Sequence, residues 1–346
     1  MRTTFSVSII FLLLACLQNL QAQDKTDPKQ QYASLGDFTL GSGLKIYDCK
    51  IGYQTYGKLN AERSNAIIFL VWFGGNSRDM HEAISGIMND TAKFYFILID
   101  AIGNGYSSSP SNSIKQAGLQ FPVFTIRDMV ESQYTMLTEK MNIHHLVGVT
   151  GFSMGGLQAF QWAVSHPDFI DKIIPIVGTP QPTSSDLLWM NIQSEAIKND
   201  TAYHDGNYKG QPVLITASHI NQLILTTPEN VTNRVSRDSF YTWFASAEKP
   251  PDFDWNNQIR QLEAIMSHDI TKTTNGSFEE AAKMVKAKML IIVSKHDHAV
   301  NPMPATKFAG LINAKLITLE SDCGHGAPML CESEKVNNAL HDFLKE

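Results

Sequence analysis

The sequence predicts an α/β protein: a mostly parallel, doubly wound sheet with a helical insertion late in the chain. Three observations predict it. Short apolar runs of strand length alternate with amphipathic stretches of helix length, the pattern of repeated βαβ units. The innermost runs, Ala66-Ile67-Ile68-Phe69-Leu70-Val71 and Met289-Leu290-Ile291-Ile292-Val293, are continuously apolar, as strands covered on both faces must be. The alternation then stops over residues 183–283, a region rich in Asn, Asp, Gln and Trp that reads as helical or irregular.

In chain order, residues 1–22 read as a signal peptide. Arg2 supplies a positive start, residues 7–17 form an apolar run broken only by Ser8, and Ala22 offers a small residue for cleavage. The run is shorter than the ~20 residues of a spanning helix, so no membrane span is expected. The expectation is secretion or a periplasmic location, with one alternative. Leu13-Leu14-Ala15-Cys16 resembles a lipoprotein box, which would leave a lipid anchor at Cys16. Cleavage at Ala22 leaves Cys49, Cys323 and Cys331, an odd count that keeps at least one thiol free or paired outside the chain; the sequence does not say whether Cys323 pairs with Cys331.

Residues 23–36 read as a polar linker. Strands are expected over 50–55, 66–72, 94–100, 145–151, 172–177, 289–294 and 314–319, and helices over 125–141, 154–165, 302–311 and 332–345. The domain boundaries that follow are a core of 37–182 and 284–346, with a lid or cap insertion at 183–283. The formal charge of −6 is dispersed and no Lys/Arg cluster forms, which argues against a nucleic-acid partner.

The chemistry starts at Gly151-Phe152-Ser153-Met154-Gly155. It follows an apolar strand and opens a helix, the strand–turn–helix context of a nucleophile elbow in the α/β-hydrolase fold. Glycines flank Ser153 because a tight turn must lift it off the sheet while neighbouring backbone passes close by. A serine hydroxyl needs a base, and the base needs an orienting acid. In this fold the order is Ser, acid, His. Asp297 stands just after a late strand, and His325, in Asp322-Cys323-Gly324-His325-Gly326, follows the last one. A non-catalytic binding module on the same scaffold is the reading of another class, and it has to set aside three residue types standing in order. His296 and His298 flank Asp297 without a third ligand at useful spacing, so no metal is expected and no cofactor is called for. The oxyanion hole should use the backbone N–H groups of Met154 and Phe73, the latter in Val71-Trp72-Phe73-Gly74-Gly75-Asn76. Trp72 is a substrate-contact candidate; Trp72 and Phe73 can also simply pack the core.

At these residues the sequence resembles the homoserine O-acetyltransferase family. The blocks that carry the likeness are Phe121-Pro122-Val123-Phe124-Thr125-Ile126-Arg127-Asp128-Met129-Val130 and Gly151 through Ala163, with a weaker echo in Gly103-Asn104-Gly105-Tyr106-Ser107. The resemblance implies an α/β-hydrolase core, a helical lid and acyl transfer through an acyl-serine, and it points to Ser153, Asp297 and His325. Two positions depart from the family. Ser194 stands where the family places an arginine for a substrate carboxylate, and Gly326 stands where it places an aspartate beside the base. The expected substrate is therefore a small-molecule ester handled by an esterase, with a CoA-dependent O-acyltransferase as the alternative. The one protein partner entertained is a second copy, in a homodimer through the lid.

Overall fold

The computed structural model describes residues 29–84 and 88–346. The proposed signal peptide, Cys16, Ala22 and most of the proposed linker lie outside the described residues. Residues Gln31–Glu346 form one compact unit. Its centre is an eight-stranded sheet in the order β1-β2-β4-β3-β5-β6-β7-β8. The strands are β1 Gln31–Thr39, β2 Lys45–Tyr56, β3 Ala66–Leu70, β4 Tyr95–Ile99, β5 Leu146–Phe152, β6 Ile170–Ile176, β7 Lys288–Ser294 and β8 Lys315–Leu319. From β4 to β8 every pairing is parallel, and β1 and β2 add an antiparallel edge. All five residues of β3 are buried, which accounts for its unbroken apolar run.

The linker expected over 23–36 needs correction at its carboxyl end. Gln31 to Thr39 pair with β2 as an edge strand in which Ala33 alone is buried. Backbone pairing rather than a buried face holds this strand, so its polar sequence carried no strand signal.

The helices in chain order are α1 Ser77–Ile84, α2 Ile126–Thr135, α3 Met154–Ser165, α4 Ser184–Lys198, α5 Ile215–Ile224, α6 Pro228–Arg234, α7 Phe240–Ala245, α8 Trp255–Met266, α9 Phe278–Met284, α10 Pro302–Leu311 and α11 Ser333–Lys345. Helix α2 opens with a capping box in which Thr125 and Asp128 exchange hydrogen bonds. It closes through a π turn, Met136–Lys140, where the sequence pattern suggested one continuous helix. Helix α1 was not anticipated. Asn76 starts it by accepting from the Arg78 and Asp79 amides. Helices α4 to α8 fill the region between β6 and β7 that lacks strands. Helix α9 closes that region but packs on the core, with Phe278 edge-on to Phe308 of α10 at 6.1 Å. Among the described residues no helix is long and apolar enough to cross a membrane.

Helix α3 lies against β3, β5 and β6, and of its twelve residues only Ser165 is not buried. Its Phe160 is inaccessible and meets Phe308 at 5.8 Å in an edge-to-face contact. Truncating Phe160→Ala should therefore lower stability by about 3–5 kcal/mol through lost burial and the cavity left behind. Urea unfolding of both proteins measures this, and a loss under about 1 kcal/mol would mean that the site collapses to fill the void.

Candidate active site

Sheet order reverses between β3 and β5, since the chain runs from β3 outward to β4 and then returns to pair β5 on the other side of β3. Ligand sites of open α/β sheets form at such a switch point, beyond the carboxyl ends of the strands. Ser153 stands there, between β5 and α3. Its φ of 55° and ψ of −119° are strained for a residue with a side chain. The strain is held by close backbone approach. A Cβ on Gly155 would overlap the Leu70 carbonyl of β3, and one on Gly151 would come within 2.7 Å of both Leu70 O and the Gly155 carbonyl. The Ser153 amide is tied to Ile176 O at 2.9 Å. The Met154 N–H is the first of the helix and has no intrahelical acceptor.

His325 and Asp297 reach Ser153 from the loops after β8 and β7. His325 Nε2 lies 2.8 Å from Ser153 Oγ, and His325 Nδ1 lies 2.7 Å from Asp297 Oδ2. Asp297 Oδ1 accepts from the Ala299 and Val300 amides at 2.8 and 2.9 Å, so both carboxylate oxygens are engaged and the group is oriented. Both side chains are nearly inaccessible. Burial works to lower the His325 pKa. The Asp297 carboxylate, by its charge and its hydrogen bond, outweighs that effect, with help from the charge of Asp186, and the net direction is upward. His296 and His298 are exposed.

The loop after β3 forms the third side. Its Gly74 amide donates to Gln261 Oε1 at 3.0 Å, and its Gly75 amide donates to Trp72 O at 2.9 Å. The Phe73 amide has no hydrogen-bond acceptor among the described residues. Phe73 and Trp72 are half-buried against the core, and Phe73 meets Phe253 of the insertion at 5.4 Å in an edge-to-face contact. Buried Asp100 accepts from the Ser77 amide and hydroxyl, while Asn104 donates to Gly75 O and to Asp100 Oδ1. The Gly103-Asn104-Gly105-Tyr106-Ser107 stretch thus serves to hold this loop.

The insertion grips each of the three site loops. Asp186 of α4 accepts the Asn301 amide, and Trp189 Nε1 donates to Ala299 O, both on the Asp297 loop. Thr227 donates to Asp322 O, Asn230 Nδ2 donates to Asp322 Oδ1, and Leu225 O accepts the Gly326 amide, all on the His325 loop. Gln261 of α8 holds the Phe73 loop. Sequence reading missed these holding residues because local motifs such as the Thr183–Asp186 capping box and the Thr227 N-cap mark a helix start and not a partner across the chain. Cys323 and Cys331 pair as a disulfide across the His325 loop, and among the described residues Cys49 is the free thiol, which is buried. Ser194 is buried on α4, and no hydrogen bond joins it to Ser153, His325 or Asp297 among the described residues. A Cβ on Gly326 would face Leu330 at 3.0 Å.

Comparison with known proteins agrees with the fold. The family model described as alpha/beta hydrolase fold matches residues 65–330. An ethyl acetate hydrolase of Pseudomonas veronii is 31% identical over 278 residues, which span 76% of this chain and 79% of that protein. A homoserine O-acetyltransferase of Methanohalobium evestigatum is 29% identical over 352 residues, 89% of this chain and 71% of that one. The solved structure of the acetyl esterase MekB superposes with a TM-score of 0.85 at 27% identity, covering 92% of this chain and 97% of that chain.

A raised His325 pKa means that the imidazole holds its proton to higher pH than a free histidine, which titrates near 6.5. NMR titration of His325 should give a midpoint above about 6.5, and Asp297→Asn should bring it down because the carboxylate charge is gone. An unchanged midpoint in that variant would show that Asp297 does not set the imidazole's charge.

Proposed function

The chain belongs to the alpha/beta hydrolase fold family, and from that premise we propose that it is a serine esterase cleaving small, uncharged acyl esters through an acyl-Ser153 intermediate. An enzyme of hydrolase or acyltransferase type follows from its relatives. The observation that carries the finer reading is the unbroken chain Ser153 Oγ–His325–Asp297 at the switch point. His325 Nε2 takes the Ser153 proton as Oγ attacks the ester carbonyl, and the imidazolium that forms faces the Asp297 carboxylate. The oxygen of the tetrahedral intermediate becomes negative as the new bond forms. The Phe73 and Met154 N–H groups receive it, and each such donor is worth about 3 kcal/mol at the transition state. Collapse expels the alcohol, protonated by His325, and water then enters by the same route in reverse to release the acid.

The second reading is O-acyl transfer from a CoA donor, favoured by the homoserine O-acetyltransferase relative. Both readings share the acyl-serine and differ in the acceptor. Ser194 and Gly326 supply neither of the charges that a homoserine zwitterion would need answered, and leaving a charge unanswered costs roughly 1–3 kcal/mol or more. Water or a neutral alcohol suits this site better. The reading includes a location outside the cytoplasm, supported by Arg2, the apolar run over 7–17 and Ala22, with a Cys323–Cys331 disulfide that suits an oxidising compartment. N-terminal sequencing of native material should begin near Gln23; a start at a lipidated Cys16 would replace secretion with tethering, and an intact Met1 in cytosol would refute both.

Replacing the nucleophile, Ser153→Ala, should lower kcat on an acetyl ester by on the order of 10⁶ with the thermal midpoint preserved. Near-full activity in that variant would sink the mechanism. Given acetyl-CoA and L-homoserine, the wild type should form little O-acetylhomoserine by mass spectrometry while hydrolysing simple acetyl esters. A transfer rate above the hydrolysis rate would reverse the choice of acceptor.

A further inference from the structure

The Phe73 loop needs an account of what keeps its amide in place. Its fixed points lie mostly on the far side of Gly75: the Ser77 amide on Asp100, Gly75 O on Asn104, and the Arg78 and Asp79 amides on Asn76. Among the described residues, the loop between Trp72 and Gly74 has one hydrogen bond to a distant element, from the Gly74 amide to Gln261 Oε1. Gly74 sits at φ +71°, in a region that only glycine visits freely, and its neighbour Gly75 also lacks a side chain to pack. Two adjacent glycines leave a mobile backbone unless something outside fixes it.

We propose that Gln261, carried by the insertion on α8, is a positioning residue for the oxyanion hole. It clamps the Phe73–Gly74 peptide and so keeps the Phe73 N–H where the developing negative charge needs it. The inference rests on the esterase reading above and deepens it. The Gly74 N–H and the Phe73 carbonyl share one peptide plane, so holding that N–H restrains the Phe73 backbone on which the donor turns. Gln261 is itself fixed. It is fully buried, its Nε2 donates to Ile102 O at 3.1 Å, and Gly103 leaves room for it, since a Cβ there would lie 3.1 Å from Gln261 Cγ. The two bonds also set the amide's orientation: turned over, its NH₂ would meet the Gly74 N–H and its oxygen would meet the Ile102 carbonyl. Gln261 thus links the loops after β3 and β4 from a residue 187 positions away from Gly74.

The test uses the full chain and rates per active site, titrated with a fluorophosphonate. Gln261→Leu removes the acceptor while keeping an apolar body of similar size. It should lower kcat on p-nitrophenyl acetate about 100-fold, the scale expected of a misplaced catalytic group. KM should stay within about threefold, because ground-state binding does not use the hole. Affinity for a boronic acid, whose tetrahedral adduct places an oxygen in the hole, should fall by the same factor as kcat. Gln261→Glu should recover most of the rate, because a buried carboxyl stays protonated and then offers both the acceptor and a donor for Ile102 O. If Gln261→Leu does not fold, Gln261→Met takes its place. An unchanged kcat, a rise in KM alone, or a Glu variant as slow as the Leu variant would overturn the positioning role. Failure of the underlying reading looks different, since wild-type Ser153 would then take up no acyl group in mass spectra of the stalled enzyme.

Discussion

Ser153 stands above the sheet because two glycines let the backbones of β3, β5 and α3 converge on one point. The Leu70 carbonyl occupies the space that a Cβ on Gly155 would need, and Gly151 is closed in by Gly155 and Leu70 from the other side. Gly156 and Gly178 meet as closely one step further along, with a Cβ on either falling within 3.0 Å of the other's backbone. Such contacts hold Ser153 at a positive φ that costs on the order of 1–3 kcal/mol when unsupported. The rest of the site follows from this junction. With the serine fixed at the switch point, the loops that end β7 and β8 bring Asp297 and His325 to it.

The insertion is part of that construction rather than a separate cover. Its helices hold the Asp297 loop through Asp186 and Trp189, the His325 loop through Thr227 and Asn230, and the Phe73 loop through Gln261. Each hold is a hydrogen bond that is at least partly buried, so opening the insertion as one body would leave several polar groups unpaired at once. Close packing of side chains over the loops explains why glycines recur there. Gly74 lies under Phe253, and Gly103 lies under Phe124 and Gln261.

The Cys323–Cys331 disulfide adds a covalent hold to the loop that carries His325. Asn230 of the insertion contacts Cys323 Sγ as well as Asp322, so the loop that carries His325 is secured both within itself and by the insertion. Cys49 is unlike either of these. It is buried and its thiol is pushed up to about 12 by desolvation, which makes it an inert core residue.

The sequence by itself determined the sheet class, the elbow and the order Ser153, Asp297, His325, because each is a local matter. Continuous apolar runs mark buried parallel strands, flanking glycines mark a backbone that must pass close to another, and an acid after one late strand with a histidine after the last is the chain order that this fold uses. It also carried a family likeness in short contiguous blocks. The edge strand β1 escaped it because a strand held by backbone pairing, with only Ala33 buried, leaves no apolar period. Tertiary structure alone decided how the site loops are held. Gln261 and Gly74 are 187 residues apart, Asp186 and Asn301 are 115 apart, and Thr227 and Asp322 are 95 apart. Local patterns mark Asp186 and Thr227 as helix-cap residues, but none of them names the partner across the chain. Their roles exist only where folding removes water and leaves a buried N–H or carbonyl facing one partner across the chain.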